Sequence, residues 1–228
     1  VFLVLNARVA FIQRFFIFRI WIMFKIWGRI TSINVRKAVY AAQELGLEFE
    51  RIDAGGVFGV VKTPEYIALN PNSVVPTLVE GDFVLWESNV IVRYLCAKHS
   101  QGTLYPTDLQ ERFNAERWMD WQQTTFGPSG RDAFWQLIRI AEPERDMKKV
   151  EASIASTEIL LDRLEQHLSK NVFIAGANMT MADIPLTCEV HRWYGLPIPH
   201  KPRPFIEAWY AKMLARPGAK NVLTLPLS

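Results

Sequence analysis

From Phe24 onward the chain switches between two hydrophobic periods. Phe24–Gly28 is a short apolar run closed by glycine and predicts a strand. Ser32–Leu45 carries Val35, Ala38, Val39, Ala42 and Leu45 at helical spacing, with Gly46 behind them as a stop. Ser32 or Asn34 suits the N-cap, because a short polar side chain accepts from the free N–H groups of the first turn. Phe49–Asp53 predicts a second strand, and strand, helix and strand in so short a span form a parallel βαβ unit. A glycine-rich stretch (Gly55, Gly56, Gly59) and a short helix at Pro64–Leu69 follow. Val75–Val79 and Phe83–Trp86 predict strands joined by Gly81–Asp82, a two-residue loop whose leading glycine fits a type II′ hairpin. Ser88–Lys98, with Val90, Ile91, Tyr94 and Leu95 inward, is a closing helix. The order predicts a four-stranded mixed sheet flanked by helices.

The strand signal ends near His99. Residues 100–108, with Gly102, Pro106 and Asp108, read as a linker, and residues 109–228 as an all-helical region. Glu111–Gln123 is one predicted helix. Met147–Leu168 is a second, with Val150, Ile154, Thr157, Leu160, Leu161, Leu164 and Leu168 on one face. Thr180–Asp183 resembles a capping box with Asp in place of Glu or Gln and opens a third. Phe205–Arg216 is the last, stopped by Pro217–Gly218.

Residues 1–22 break this pattern. They are apolar and aromatic, lack acidic residues and are interrupted by Arg8, Arg14 and Arg19. Three arginines make a spanning helix costly, and a stretch ending in Ile20–Trp21–Ile22 does not resemble a signal peptide. An interfacial helix suits the composition; the reading adopted is an extension outside the folded unit, which then starts at Met23. A net charge of +3 is too small and too evenly spread for nucleic acid as a partner. Cys96 and Cys188 are the two cysteines, far apart and in apolar runs, so neither a disulfide framework nor a zinc cluster is expected. The histidines His99, His167, His191 and His200 have no ligand spacing, and no metal is assigned.

Four local features stand out: the Ser32-Ile33-Asn34 helix start, the Val75–Pro76 step, Glu87–Ser88, and the Thr180–Asp183 box. In this order and spacing they resemble the cytosolic-type glutathione transferases over almost the whole length after Met23. The helix start is most similar to the bacterial nu-like group, with Ser32 where that group has threonine; theta-like enzymes place a serine there. The resemblance implies a thioredoxin-like N-terminal α/β domain over residues 23–99 that binds glutathione as cosubstrate. It implies an all-α C-terminal domain over 109–228 that shapes the second substrate's pocket. It also implies a cis Val75–Pro76 bond, with the Val75 backbone pairing with the cysteinyl part of glutathione, a cytoplasmic location, and a homodimer.

The chemistry is consistent with that resemblance. A free thiol titrates near 8.5, so little of it is the nucleophilic thiolate at neutral pH. Helix N-termini favour anions, and Ser32 and Asn34 are placed to donate to the sulfur. No cysteine lies at this helix start, so the sulfur must arrive with a ligand. The plainer reading of Ser32 is an ordinary cap. Glu87 suits the ammonium of the γ-glutamyl end, and Ser88 with free N–H groups suits its carboxylate. Val74 departs from the family pattern, occupying the place where many members carry a Lys or Gln for the glycyl carboxylate. Lys62 or Asn72 is the expected substitute. Trp118, Trp121, Phe126, Phe134 and Trp135 fit either a core or a second-substrate pocket, and Arg131 among them is the expected partner for a carboxylate or an anionic leaving group. The thiolate would attack an electrophilic carbon, a peroxide or a disulfide. A disulfide reductase, or a non-catalytic interaction module of the same fold, are the alternatives.

Overall fold

The computed structural model describes residues 23–227; the proposed extension over 1–22 lies outside the described residues. The first half contains β1 (Phe24–Trp27), α1 (Ile33–Glu44), β2 (Phe49–Ile52), α2 (Pro64–Leu69), β3 (Thr77–Glu80), β4 (Phe83–Trp86) and α3 (Ser88–His99). The strands form one sheet in the order β2-β1-β3-β4. β1 and β2 run parallel, Phe24 opposite Phe49, while β1–β3 and β3–β4 are antiparallel. This is the mixed four-stranded sheet that the pattern predicts. β3 begins at Thr77 and not at Val75, since the cis Val75–Pro76 peptide precedes it and proline has no N–H to give the ladder. Gly81 has φ +60°, as the leading residue of a tight hairpin turn requires. Val90, expected inward, is instead exposed.

The second half is helical: α4 (Leu109–Trp121), α5 (Gly127–Ser129), α6 (Arg131–Phe134), α7 (Met147–Leu168), α8 (Asp183–Tyr194) and α9 (Pro204–Leu214). Between α4 and α5 the chain widens into a π-helical turn at Gln122–Phe126, and a second wide turn spans Trp135–Arg139. Proline at 128 cannot donate to the preceding turn and its ring crowds a regular helix. A Cβ at Gly127 would stand 3.0 Å from the Gln122 carbonyl and 3.2 Å from Glu189 Oε2, so the closely wound turn needs glycine there.

The Thr180–Asp183 box is a structural joint. Asp183 is fully buried, and its two carboxylate oxygens accept from the Ile174 and Thr180 backbone N–H groups and from Trp209 Nε1, each at 2.9 Å. Burial pushes its pKa up to about 6 against those hydrogen bonds.

α1 is the centre of the molecule. Its residue pattern predicts one apolar face, yet Val35 through Ala42 are all buried, Arg36 and Lys37 included. A surface helix exposes one side; this one is enclosed by the sheet, by α3 and by α8. Its far end is tied to the chain's last segment: Tyr40 Oη donates to the Met213 carbonyl (3.0 Å), and Glu44 accepts from Arg216 Nε (2.7 Å) and the Gly218 N–H (3.2 Å).

Candidate functional site

The start of α1 is shaped by its surroundings. Gly28 has φ +147°, and a Cβ there would lie 2.3 Å from Val35 Cγ2, so only glycine lets β1 turn this tightly into the helix. The Ser32 N–H donates to the Arg29 carbonyl (3.1 Å), and the Ser32 carbonyl accepts the first helical bond from Arg36 (2.9 Å). Ser32 therefore caps α1 with its backbone, at φ −76° and ψ 125°, while its hydroxyl makes no cap hydrogen bond. That hydroxyl remains available for something else.

The cis Val75–Pro76 peptide lies against the turn from β1 into α1, where a Cβ on Gly28 would stand 3.1 Å from Val75 Cβ. The Val74 carbonyl accepts from both Tyr66 Oη (2.7 Å) and Asn70 Nδ2 (2.9 Å); Thr77 Oγ1 in turn accepts from Asn70 Nδ2 and donates to Tyr66 Oη. Tyr66, Asn70 and Thr77 are buried, so this network pins the turn from behind. Asn72 spends its backbone N–H and side-chain amide on Asn70 Oδ1, at 3.0 and 3.1 Å. Lys62 is exposed in the loop before α2, and neither residue lines the clefts described next.

Two clefts flank the first turn of α1, with Ile33 and Arg192 on the wall of both. One is polar and gathers Asn34, Lys37, Glu87, Ser88, Gln123 and Arg131. Ser88 Oγ donates to Asn34 Oδ1 (3.3 Å) and Gln123 Nε2 to Glu87 Oε2 (3.3 Å). Glu87 sits at φ +71°, a conformation that costs a non-glycine residue about 1–3 kcal/mol and turns it out from the end of β4 at the start of α3. Behind it, Lys37 Nζ donates to Gln122 Oε1 and Gln122 Nε2 to Glu189 Oε2, both at 2.9 Å, and Glu189 pairs with Arg192. Burial pulls the Lys37 pKa down to about 8, with Glu189 opposing it.

The other cleft contains Ser32 and Thr31, the aromatic rings of Phe134 and Trp135, and the guanidinium groups of Arg29 and Arg139. Arg29 packs over the glycine loop after β2: a Cβ on Gly56 would meet its Nε at 3.0 Å. Burial, and then the charge of Arg139, lower its pKa. Arg36 also lines this cleft; its Nε and Nη2 donate to the Ile30 and Pro226 carbonyls at 3.1 and 2.8 Å. His191 on the same wall meets Tyr210 Oη at 2.7 Å, and burial with the Arg36 charge pulls its pKa down to about 4.

The fold thus groups Asn34, Glu87, Ser88 and Arg131 on one side of the helix start and leaves Ser32 on the other; Val75 lines neither cleft and packs near Gly28 and Gly55. Of the aromatic set, Phe134 and Trp135 line the Ser32 cleft, whereas Trp118, Trp121 and Phe126 pack on one another, with ring centroids 5.3 and 5.2 Å apart. Cys96 and Cys188 are buried, and burial pushes both thiols up to about 12. Sequence reasoning missed Arg29, Arg139, Lys37 and Gln123. For Arg29 a signal existed, a cation in the crossover loop directly before the helix start; for the others none did.

The family model for the glutathione S-transferase N-terminal domain matches residues 22–97, and that for the C-terminal domain matches 121–217. Glutathione S-transferase GstB of Escherichia coli K12 is 35% identical over 208 residues, covering 90% of this chain and all of the relative. Glutathione S-transferase 3 of Zea mays is 31% identical, over 89% of this chain and 95% of the relative. The crystal structure of the theta class glutathione S-transferase from Xanthomonas axonopodis pv. citri with glutathione bound superposes with a TM-score of 0.87. It shares 42% identity over 90% of this chain and 99% of that one. The chain belongs to the glutathione S-transferase family and is a glutathione transferase. Among the described residues no helix is long and apolar enough to cross a membrane, and no group of His, Cys, Asp and Glu side chains could hold a metal ion.

Proposed function

We propose that the enzyme binds glutathione along the Val75 backbone with its sulfur at Ser32, as thiolate, for attack on a small electrophile in the cleft of Phe134 and Trp135. The observation that carries this reading is the free Ser32 hydroxyl, which caps nothing and lines that cleft. Lowering a thiol pKa from 8.5 by two units takes about 2.7 kcal/mol. One hydroxyl hydrogen bond to the thiolate and the open N–H groups of the α1 start together supply that much. The proton leaves to solvent, and the sulfur lone pair forms the new bond.

The γ-glutamyl end belongs in the polar cleft. Glu87 takes its ammonium, Ser88 and the first N–H groups of α3 its carboxylate, and Arg131 closes the far side. Asn34, paired with Ser88, acts at this end more than at the sulfur. Residues 23–99 then form the glutathione-binding unit, 100–108 the linker and 109–228 the second-substrate unit. A cytoplasmic homodimer is the form this reading takes; Trp86 and Val90 on the sheet unit and Leu109 and Phe113 on α4 leave apolar area exposed for such pairing.

The test is calorimetry of glutathione binding, with the bound thiol titrated by thiolate absorbance, for wild type and Ser32→Ala. A thiol pKa well below 8.5 in wild type, raised in the variant, is expected. Binding with an unshifted thiol pKa would defeat the assignment of Ser32.

A further inference from the structure

The Ser32 cleft has an unusual charge balance. Arg29, Arg36, Arg139 and Arg192 line it together with His191, and among the described residues no carboxylate does. Arg192 is neutralised by Glu189. Among the described residues, Arg29, Arg36 and Arg139 have no acidic partner, and Arg36 Nη1 is buried without a hydrogen-bond acceptor. Guanidinium groups gathered without counter-charge repel one another, and the repulsion grows as water is excluded. The pKa of Arg29 is lowered first by burial and then by the charge of Arg139. Phe134 offers its ring to two of these cations, with Arg139 and Arg192 placed 5.7 and 5.3 Å from its centroid, but carries no counter-charge. An uncharged hydrophobic guest would leave this repulsion in place and strip water from the cations. A guest with an aromatic or short apolar body and one anionic group would relieve it.

We infer that the second substrate of this transferase is itself an anion, an electrophile bearing a carboxylate or similar group that Arg29 and Arg139 hold in the cleft lined by Ser32. The inference rests on the assignment of Ser32 as the thiolate site. The rival destination for these charges is glutathione's own glycyl carboxylate, since Arg29 lies over Gly55–Gly56 and a Cβ on Gly55 would be 3.5 Å from the Val75 side chain. Arg139 separates the two, because it approaches from the helical half.

A matched pair of probes, 4-chloro-3,5-dinitrobenzoate and its methyl ester, isolates the anionic group. The thiolate sulfur attacks the chlorine-bearing ring carbon, the C–S bond forms, and chloride leaves with the C–Cl electron pair. The thiol proton has already gone to solvent. Binding of the two preformed glutathione conjugates is measured by calorimetry with wild type and Arg139→Gln, and turnover of the two chlorides follows. The acid conjugate should bind at least about tenfold tighter than the ester conjugate to wild type, and R139Q should erase that preference while shifting the ester less than about twofold. In turnover, the R139Q loss should fall on the acid alone, with KM for glutathione unchanged. Equal binding of the two conjugates by wild type would overturn the inference. So would an R139Q effect that is equal for both, or one that appears as a raised KM for glutathione. Failure of the Ser32 reading looks different: Ser32→Ala turns over both chlorides as wild type does, while the acid conjugate still binds wild type tighter than the ester conjugate.

Discussion

The two clefts beside the first turn of α1 share walls but differ in how their charges are settled. In the polar cleft nearly every group has a protein partner: Ser88 with Asn34, Glu87 with Gln123, and Lys37 through Gln122 to Glu189 and Arg192. In the Ser32 cleft the hydroxyl and the guanidiniums of Arg29 and Arg139 have no such partner among the described residues, and Arg36 meets only backbone carbonyls. A pre-satisfied network holds its geometry before any ligand arrives and suits an invariant ligand such as the γ-glutamyl end. Unspent donors gain most from what enters, which suits the side where chemistry and selection occur.

The largest break in that contrast should come from Ser32→Ala. Steady-state kinetics with a chlorodinitrobenzene are expected to show kcat/KM down about 100-fold, with the bound thiol pKa raised by one to two units. Ser32→Thr should keep most of the activity. A loss below threefold in S32A would mean that the helix start alone activates the sulfur. Glu87→Gln should act on the other side only. KM for glutathione rises about tenfold and the thiol pKa stays put, because an exposed charge-assisted contact to an ammonium is worth about 1–1.5 kcal/mol. A shifted thiol pKa in that variant would show that the two clefts are not separable.

Stability against pH sharpens the comparison further. His191 in the Ser32 cleft has its folded pKa lowered to about 4 from 6.5. Lys37 in the polar cleft has its folded pKa lowered to about 8 from 10.5. Each folded form binds fewer protons than the unfolded chain between its two values. Stability from His191 is thus present above pH 6.5 and lost as pH falls through 4. Stability from Lys37 is present above pH 10.5 and lost as pH falls through 8. Thermal melts across pH should show both slopes, with His191→Gln flattening only the acid one and Lys37→Met only the alkaline one. Parallel changes in both windows would refute the local origin of these shifts.

The parts of the fold legible in the sequence are those whose determinants are near in the chain. α2 and α7 fall at their expected ends because their caps are local: Thr63 Oγ1 accepts from the Tyr66 N–H at 3.3 Å, and Asp146 Oδ1 from the Lys149 N–H at 3.3 Å. The hairpin followed from Gly81, and the family from four short motifs. Illegible were features set by distant partners. The predicted helix at Glu111–Gln123 runs on into wide turns because Gly127 must pass Gln122 and Glu189, and no local period announces that. The full burial of α1 depends on α8, which its own apolar stripe does not reveal. The convergence of Arg29 with Arg139 joins the two halves of the chain, and neither position announces the other.

The bonds from α1 to the chain's last segment bear on the order of synthesis. N-terminal domains commonly fold while the rest of a chain is still being made. Here Arg36 Nη2 and Tyr40 on α1 lack their acceptors, and Glu44 its donors, until residues 213–226 have emerged. A ribosome-bound nascent chain stopped before Met213 therefore carries the sheet without a finished site. The hydrogen bonds of α1 are complete only once residue 226 is in place.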